Sequence, residues 1–196
     1  TPLYFRPLEH GVDISIHAAT KYPAGHSDVL LGTVSANEAC WKRLQETHFT
    51  MGCCAAPDDV YQVMRGLRTM GVRLERHQEN ALDVARWLES QPGVARVLHP
   101  ALESFPGHAI WKRDFSGASG IFSIVLAGGG EREAHAFLDA LEIFGLGYSW
   151  GGYESLAVHV FLGDRTLAKG DYNGPVIRLQ IGLENPEDIK ADLSRG

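Results

Sequence analysis

The chain has 196 residues and a formal net charge of −6, and 44% of its residues are hydrophobic. This acidic balance argues against a nucleic-acid partner, because phosphate binding needs a surplus of clustered Lys and Arg. No apolar run approaches the roughly 20 residues that span a bilayer, and no signal peptide is recognisable. The three cysteines include no C-x-x-C pair, so we expect reduced thiols in a cytoplasmic protein, with no zinc or other metal site.

The first third of the chain predicts two strands and a helix before a longer helical segment. Polar and apolar residues alternate over 13–17, which predicts a strand. Residues 21–28 are rich in Gly, Pro and Ser and predict a loop, and the apolar run 29–34 predicts a second strand. Asn37 can cap a helix that continues to about residue 48.

A long helical segment follows. Pro57, with two aspartates directly after it, suits a helix start, and the helical pattern continues to residue 90. Gly66 and Gly71 would allow a bend. One apolar face is predicted for this segment, made of Val60, Val63, Met64, Leu67, Leu74, Ala81, Val84, Ala85 and Leu88.

The rest of the chain alternates strands and helices, which predicts a layered α/β or α+β domain. The predicted strands cover 94–98, 120–126, 156–161 and 176–181, and the predicted helices cover 131–142 and 186–193. We place a provisional boundary near residue 68, which divides the chain into residues 1–67 and 68–196. A unit as short as 1–67 would leave a sheet face and an edge open, so we expect it to be part of something larger.

Lys21 follows the first predicted strand and is surrounded by small residues. An amine attacks an aldehyde cofactor only after it has lost its proton, and small neighbours leave room for a bulky aromatic group. Thr20 could offer its hydroxyl to a phosphate. Without further context, a solvated loop lysine is the more common situation.

The segment around this lysine resembles the cofactor-lysine signature of the pyridoxal-phosphate enzymes of Cys/Met metabolism. Its sequence over residues 13–28 is DISIHAATKYPAGHSD. The resemblance implies that Lys21 binds pyridoxal 5'-phosphate covalently, with Thr20 beside it. Two positions depart from the signature: Pro23 replaces a larger aliphatic residue, and Ala18 replaces a serine that helps many members to hold the phosphate. Alanine is frequent at the latter position among β-lyases.

A second segment, residues 148–156, has the sequence YSWGGYESL. Its composition alone favours a glycine-containing turn with packed aromatic residues. The resemblance implies an active-site segment in which Tyr148, Ser149 and Trp150 shape the substrate site. Trp150 and Tyr153 resemble the bacterial β-lyase members of the family, because synthases and γ-lyases usually have smaller or aliphatic residues there.

Arg178 lies in a predicted strand whose apolar neighbours would bury its stem. A buried guanidinium needs an anion, and its planar fork suits a carboxylate. The residues alone leave open a structural ion pair, for instance with Glu184. The resemblance implies that Arg178 binds the α-carboxylate of an amino-acid substrate.

The resemblance also implies the fold and the reaction. We expect a type I pyridoxal-phosphate fold of the aspartate aminotransferase type, in which residues 1–67 complete the large cofactor domain and residues 68–196 form the small α+β C-terminal domain. We expect a homotetramer that also contains a missing N-terminal half, without which this segment is inactive. The implied reaction is α,β-elimination of cystathionine to homocysteine, pyruvate and ammonia. The alternatives are cystathionine γ-synthase, γ-lyase or another C–S lyase acting on a small sulfur amino acid, and a non-catalytic interaction fragment.

Overall fold

A computed structural model describes residues 1–167, 170 and 172–196. Over these residues the chain forms a two-stranded and a five-stranded sheet with helices packed beside them, which confirms the predicted α/β class. The elements, in chain order, are a 3-10 helix (Pro7–His10), β1 (Ile14–Ala18), β2 (Gly32–Ala36), α1 (Glu38–Met51), α2 (Pro57–Leu67), α3 (Met70–Leu88), β3 (Val94–Leu98), α4 (His108–Asp114), β4 (Ile121–Leu126), α5 (Glu131–Asp139), β5 (Gly145–Leu146), β6 (Leu156–Val160), β7 (Val176–Gln180) and α6 (Pro186–Leu193).

The small sheet pairs β1 with β2 in antiparallel register, and its last pair joins Ala18 to Gly32. The predicted second strand over 29–34 is therefore wrong at its start, by three residues. The backbone before Gly32 is used elsewhere: Thr20 N–H donates to the Leu31 carbonyl at 3.2 Å, and Leu31 N–H donates to the Thr20 hydroxyl at 3.0 Å. These contacts fix the chain immediately before Lys21.

The long helical segment is two helices, because the chain turns at Arg68 and Thr69, between α2 and α3. Gly71, where a bend was predicted, lies inside α3. The predicted apolar face holds for α3, where Leu74, Ala81, Val84, Ala85 and Leu88 are buried. It is wrong for most of α2, where Val60, Met64 and Leu67 are 38%, 52% and 47% exposed, because no described residue covers that side of the helix.

The five-stranded sheet has the order β3-β4-β7-β6-β5, and its neighbouring strands are antiparallel except for the parallel pair β5 and β6. One face packs against α3, α5 and α6 to form the main core, with Val84, Leu88, Phe122, Ile124, Phe137, Ile177, Leu179 and Ile189 among its members. Ile177 and Leu179 of the central strand β7 face this core. Side chains alternate along a strand, so Arg178 and Gln180 lie on the opposite face.

Helix α5 ends at Asp139, three residues before the predicted end. The carboxylate of Asp192, on α6, accepts hydrogen bonds from three backbone N–H groups beyond the helix, those of Glu142, Ile143 and Phe144, at 2.9, 2.8 and 3.3 Å. Asp192 is 2% exposed, and buried polar groups need such partners. Asp192, which is distant in sequence, thus binds the backbone N–H groups that would otherwise have continued the helix.

The first third of the chain exposes much apolar surface. Helix α1 buries none of its residues, and Ile16, Leu30, Phe49 and Met51 are each at least 70% exposed. So many exposed large apolar side chains in one part of the chain suggest a surface that another part of a larger assembly covers. None of the described helices is long and apolar enough to cross a membrane.

Candidate active site

Lys21 lies in a tight turn that begins where β1 ends. The turn is closed by three backbone hydrogen bonds, from Lys21 N–H to Ala18 at 3.1 Å, from Ala24 N–H to Ala19 at 2.9 Å and from Gly25 N–H to Lys21 at 2.8 Å. The residues from Tyr22 to Gly25 are buried, whereas Lys21 itself is partly exposed. The turn therefore fixes the backbone that carries the Lys21 side chain and leaves the side chain partly accessible to solvent.

The aromatic segment predicted from residues 148–156 lies directly against this turn. Gly151 has φ +79°, and a Cβ at this position would lie 2.8 Å from the Tyr22 nitrogen and 3.2 Å from the Lys21 Cβ. Only glycine combines this backbone conformation with so close an approach. On the far side of the turn, the Ser27 hydroxyl donates to both carboxylate oxygens of Glu154, at 2.8 and 3.0 Å. The sequence predicted a glycine-containing turn here, but it showed neither the close approach at Gly151 nor the Ser27–Glu154 contact.

The amine of Lys21 has two partners in this segment. Its Nζ donates to the Ser149 hydroxyl at 2.9 Å and lies 4.4 Å from the centre of the Trp150 ring, within reach of a cation–π interaction. The structure therefore brings together three residues that the sequence placed in two separate motifs.

Arg178 approaches the same two residues from β7. One nitrogen, Nη2, donates to the carbonyl oxygens of Gly147 and Ser149, both at 3.3 Å. Its Cζ lies 5.8 Å from the Trp150 ring and 5.9 Å from the Tyr148 ring. Arg178 is partly buried, and this burial lowers the pKa of its guanidinium.

Arg178 has no ion pair within the described part of the chain. Glu184, the partner that the sequence left open, is engaged elsewhere: its carboxylate accepts hydrogen bonds from the backbone and the hydroxyl of Ser155, at 2.7 and 2.9 Å. Among the described residues the hydrogen bonds of Arg178 go to carbonyl oxygens, so the partly desolvated guanidinium retains the capacity to bind a carboxylate.

Thr20 uses its hydroxyl within the turn. Besides accepting from Leu31 N–H, it donates to the Leu31 carbonyl at 3.4 Å. To donate to a phosphate it would have to give up this longer contact, so its role beside a cofactor stays a prediction. No group of three or more metal-ligating side chains is found among the residues that the structure describes.

The donors present fit pyridoxal 5'-phosphate at its aldehyde end and an amino acid at its carboxylate end. Lys21 supplies an amine, Trp150 a flat apolar surface beside it, and Arg178 a cation that has no anionic partner among the described residues. Tyr148 is 70% exposed, so it lies at the outer edge of this group of side chains.

Comparisons with known proteins agree on one family. The sequence profile described as "Cys/Met metabolism PLP-dependent enzyme" matches residues 1–196. A Rhizobium johnstonii protein with a provisional cystathionine beta-lyase name is 69% identical over 100% of this chain and 50% of its own length. The cystathionine beta-lyase of Salmonella typhimurium is 48% identical over 98% of this chain and 50% of its own length.

Solved structures agree with the sequence matches. The cystathionine gamma synthase of Xanthomonas oryzae pv. oryzae superposes with a TM-score of 0.88 at 36% identity, over 99% of this chain and 52% of that protein. The chain thus spans about half the length of the relatives it matches.

Proposed function

The chain belongs to the family of pyridoxal-phosphate-dependent enzymes of Cys/Met metabolism, and we propose that it carries the reactive lysine and the carboxylate-binding arginine of a carbon–sulfur lyase acting on cystathionine. One observation carries the proposal. Lys21 and Arg178, which are far apart in sequence, both contact Ser149 and Trp150.

Bound pyridoxal 5'-phosphate supplies an aldehyde for an amino group and a ring that accepts the electrons released at the substrate's α-carbon. Lys21 would hold this group, and its amine, when free, would take the α-proton and deliver a proton to the departing sulfur. Its hydrogen bond to Ser149 holds the amine beside Trp150, on the side of the turn that Arg178 also approaches. Arg178 holds the α-carboxylate and so orients the α-carbon toward Lys21.

The remaining architecture follows the family. We propose a type I pyridoxal-phosphate fold in which residues 1–67 complete the large cofactor domain and residues 68–196 form the small one. The exposed apolar residues of β1, β2, α1 and α2 support this proposal, because a sheet of two strands needs further partners. We further propose that the active unit contains an amino-terminal half and is a homotetramer.

Residues 1–196 expressed alone should aggregate or bind pyridoxal 5'-phosphate only weakly, since Ile16, Leu30 and Phe49 are 79%, 85% and 74% exposed. Fusing the chain to the amino-terminal half of the Rhizobium johnstonii relative gives a full-length protein, here named the hybrid enzyme, which should regain both solubility and visible absorbance. Sedimentation and an absorbance spectrum of each protein test this. A soluble, yellow and active 196-residue chain would contradict the expectation.

The choice of cystathionine β-elimination rests on Trp150 and Tyr153, and the names of the relatives at 48–69% identity support it. The competing reaction within the family is γ-elimination or γ-replacement. The similarity to a γ-synthase structure is the observation in its favour. Product analysis with the hybrid enzyme and cystathionine separates the two. We expect pyruvate and homocysteine; 2-oxobutyrate as the main product would refute β-elimination.

The non-catalytic alternative predicts a different result. An interaction fragment would need neither cofactor nor substrate, so the hybrid enzyme would then show no visible absorbance after addition of pyridoxal 5'-phosphate and no product from cystathionine. Both observations together would overturn the proposed function.

A further inference from the structure

The separation between the Lys21 amine and the Arg178 guanidinium depends on how the turn after β1 is attached to the large sheet. Ser149 links the two side chains at their tips. A second link lies deeper, at Tyr22, the residue directly after the lysine. Tyr22 is 3% exposed and packs against Met70 and Leu74 of α3.

The Tyr22 hydroxyl is bonded to the segment that leads into β4 and to the last residue of β7. It accepts from Gly120 N–H, just before β4, at 3.2 Å, and donates to the side-chain oxygen of Gln180, at the end of β7, at 3.4 Å. Gln180 is itself 1% exposed, and its amide donates to the Ile181 carbonyl at 3.0 Å. The Tyr22 hydroxyl is therefore part of a buried hydrogen-bond network.

The position of Gln180 connects this hydrogen-bond network to Arg178. Gln180 lies two residues after Arg178, so both side chains project from the same face of β7. Gly120 permits the close approach, because a Cβ there would lie 2.4 Å from the Ile181 carbonyl oxygen and 3.2 Å from the Gln180 amide nitrogen. The strand that carries the arginine is thus attached to the residue next to the lysine.

A purely space-filling role does not account for this arrangement. Phenylalanine would fill the same volume beside the edge-on ring of His77, whose centre is 5.5 Å away. The hydroxyl, however, must be desolvated to reach Gly120 and Gln180, and burial raises the pKa of Tyr22, so the hydroxyl keeps the proton that it donates. Burying a hydroxyl costs free energy of folding unless hydrogen bonds compensate for the water that it loses. The two hydrogen bonds of Tyr22 supply that compensation.

We propose that Tyr22 is a positioning residue that fixes the separation between the Lys21 amine and the Arg178 guanidinium, and thereby sets the affinity of the site for amino-acid carboxylates. The inference rests on the proposed function, in which these two groups hold the same ligand. It assigns Tyr22 no contact with the substrate.

The test uses Tyr22→Phe in the hybrid enzyme with glycine as the probe, since glycine has an amine and a carboxylate but no leaving group. Glycine binding is followed through the visible absorbance of the bound cofactor. We expect its dissociation constant to rise about fivefold, the effect of losing one hydrogen bond, while the dissociation constant of pyridoxal 5'-phosphate stays unchanged. Gln180→Leu should weaken glycine binding similarly, and the double variant should lose little more than either single one.

Tyr4→Phe is the matched control, because Tyr4 packs against the same cluster but its hydroxyl makes none of these bonds. Glycine affinity that stays unchanged in both Tyr22→Phe and Gln180→Leu would overturn the inference, as would a parallel loss of cofactor and glycine binding. If Tyr22→Phe does not fold, Gln180→Leu alone decides. Glycine binding needs no elimination, so a hybrid enzyme that binds glycine but releases no pyruvate refutes the proposed β-elimination and leaves standing the paired Lys21 and Arg178 site on which this inference rests.

Discussion

Lys21→Ala in the hybrid enzyme is expected to lower the rate of elimination by roughly 1,000-fold or more, because in the proposed function the same amine holds the cofactor and moves the proton. The fold should survive. Lys21 is only partly buried, and the turn around it is closed by backbone hydrogen bonds that an alanine keeps. Pyruvate release measures the rate, and the urea midpoint measures the fold.

Lys42→Ala is the matched control, because Lys42 is exposed on α1 and contacts none of the site residues described above. Its turnover should equal that of the parent. Borohydride reduction of the parent should attach the cofactor to the peptide that contains Lys21. Label found on Lys42 or Lys112 instead would show that the lysine has been wrongly assigned.

Arg178→Lys is expected to lower kcat/KM for cystathionine at least tenfold, a barrier change of about 1.4 kcal/mol. Lysine keeps the charge but loses the planar fork that binds a carboxylate through two parallel hydrogen bonds. It would also lose the contacts from Nη2 to the carbonyl oxygens of Gly147 and Ser149. Steady-state kinetics of the folded variant provide the measurement.

Arg113→Lys serves as the control for this change. Arg113 is paired with Asp114 on the surface, at 2.7 Å, so the same substitution there should leave the kinetics unchanged. Parental kinetics in a correctly folded Arg178→Lys variant would mean that Arg178 is structural. Its carbonyl contacts would then be its whole role.

Local signals in the sequence predicted most of the elements. Asn37 was predicted to cap α1, and its side chain accepts from Cys40 N–H at 3.1 Å. Pro57 and Pro186 were predicted to start helices, and α2 and α6 begin there. Caps and prolines act within one turn of the helix, so the sequence displays their effect directly. The short helix α4 has no side-chain cap and was missed.

Elements whose limits depend on distant residues were predicted less well. The start of β2 was misplaced because Leu31 is bound by Thr20, and the end of α5 because Asp192 captures the backbone after it. The outer face of α2 has an amphipathic pattern, yet the described residues do not cover it. A hydrophobic pattern predicts that one face of a helix packs against another apolar surface. It does not show whether the chain itself supplies that surface.

The same distinction between local signals and distant contacts applies to the candidate site. The sequence by itself indicated the candidate residues, since the segments around Lys21, Trp150 and Arg178 each resemble a signature of the family. Only the tertiary structure brought Ser149 and Trp150 to both the amine and the guanidinium, and placed Tyr22 between the turn and β7. The reason is physical: hydrogen bonds between segments more than a hundred residues apart form only when packing of the sheet and α3 brings those segments together, and no local pattern encodes that geometry.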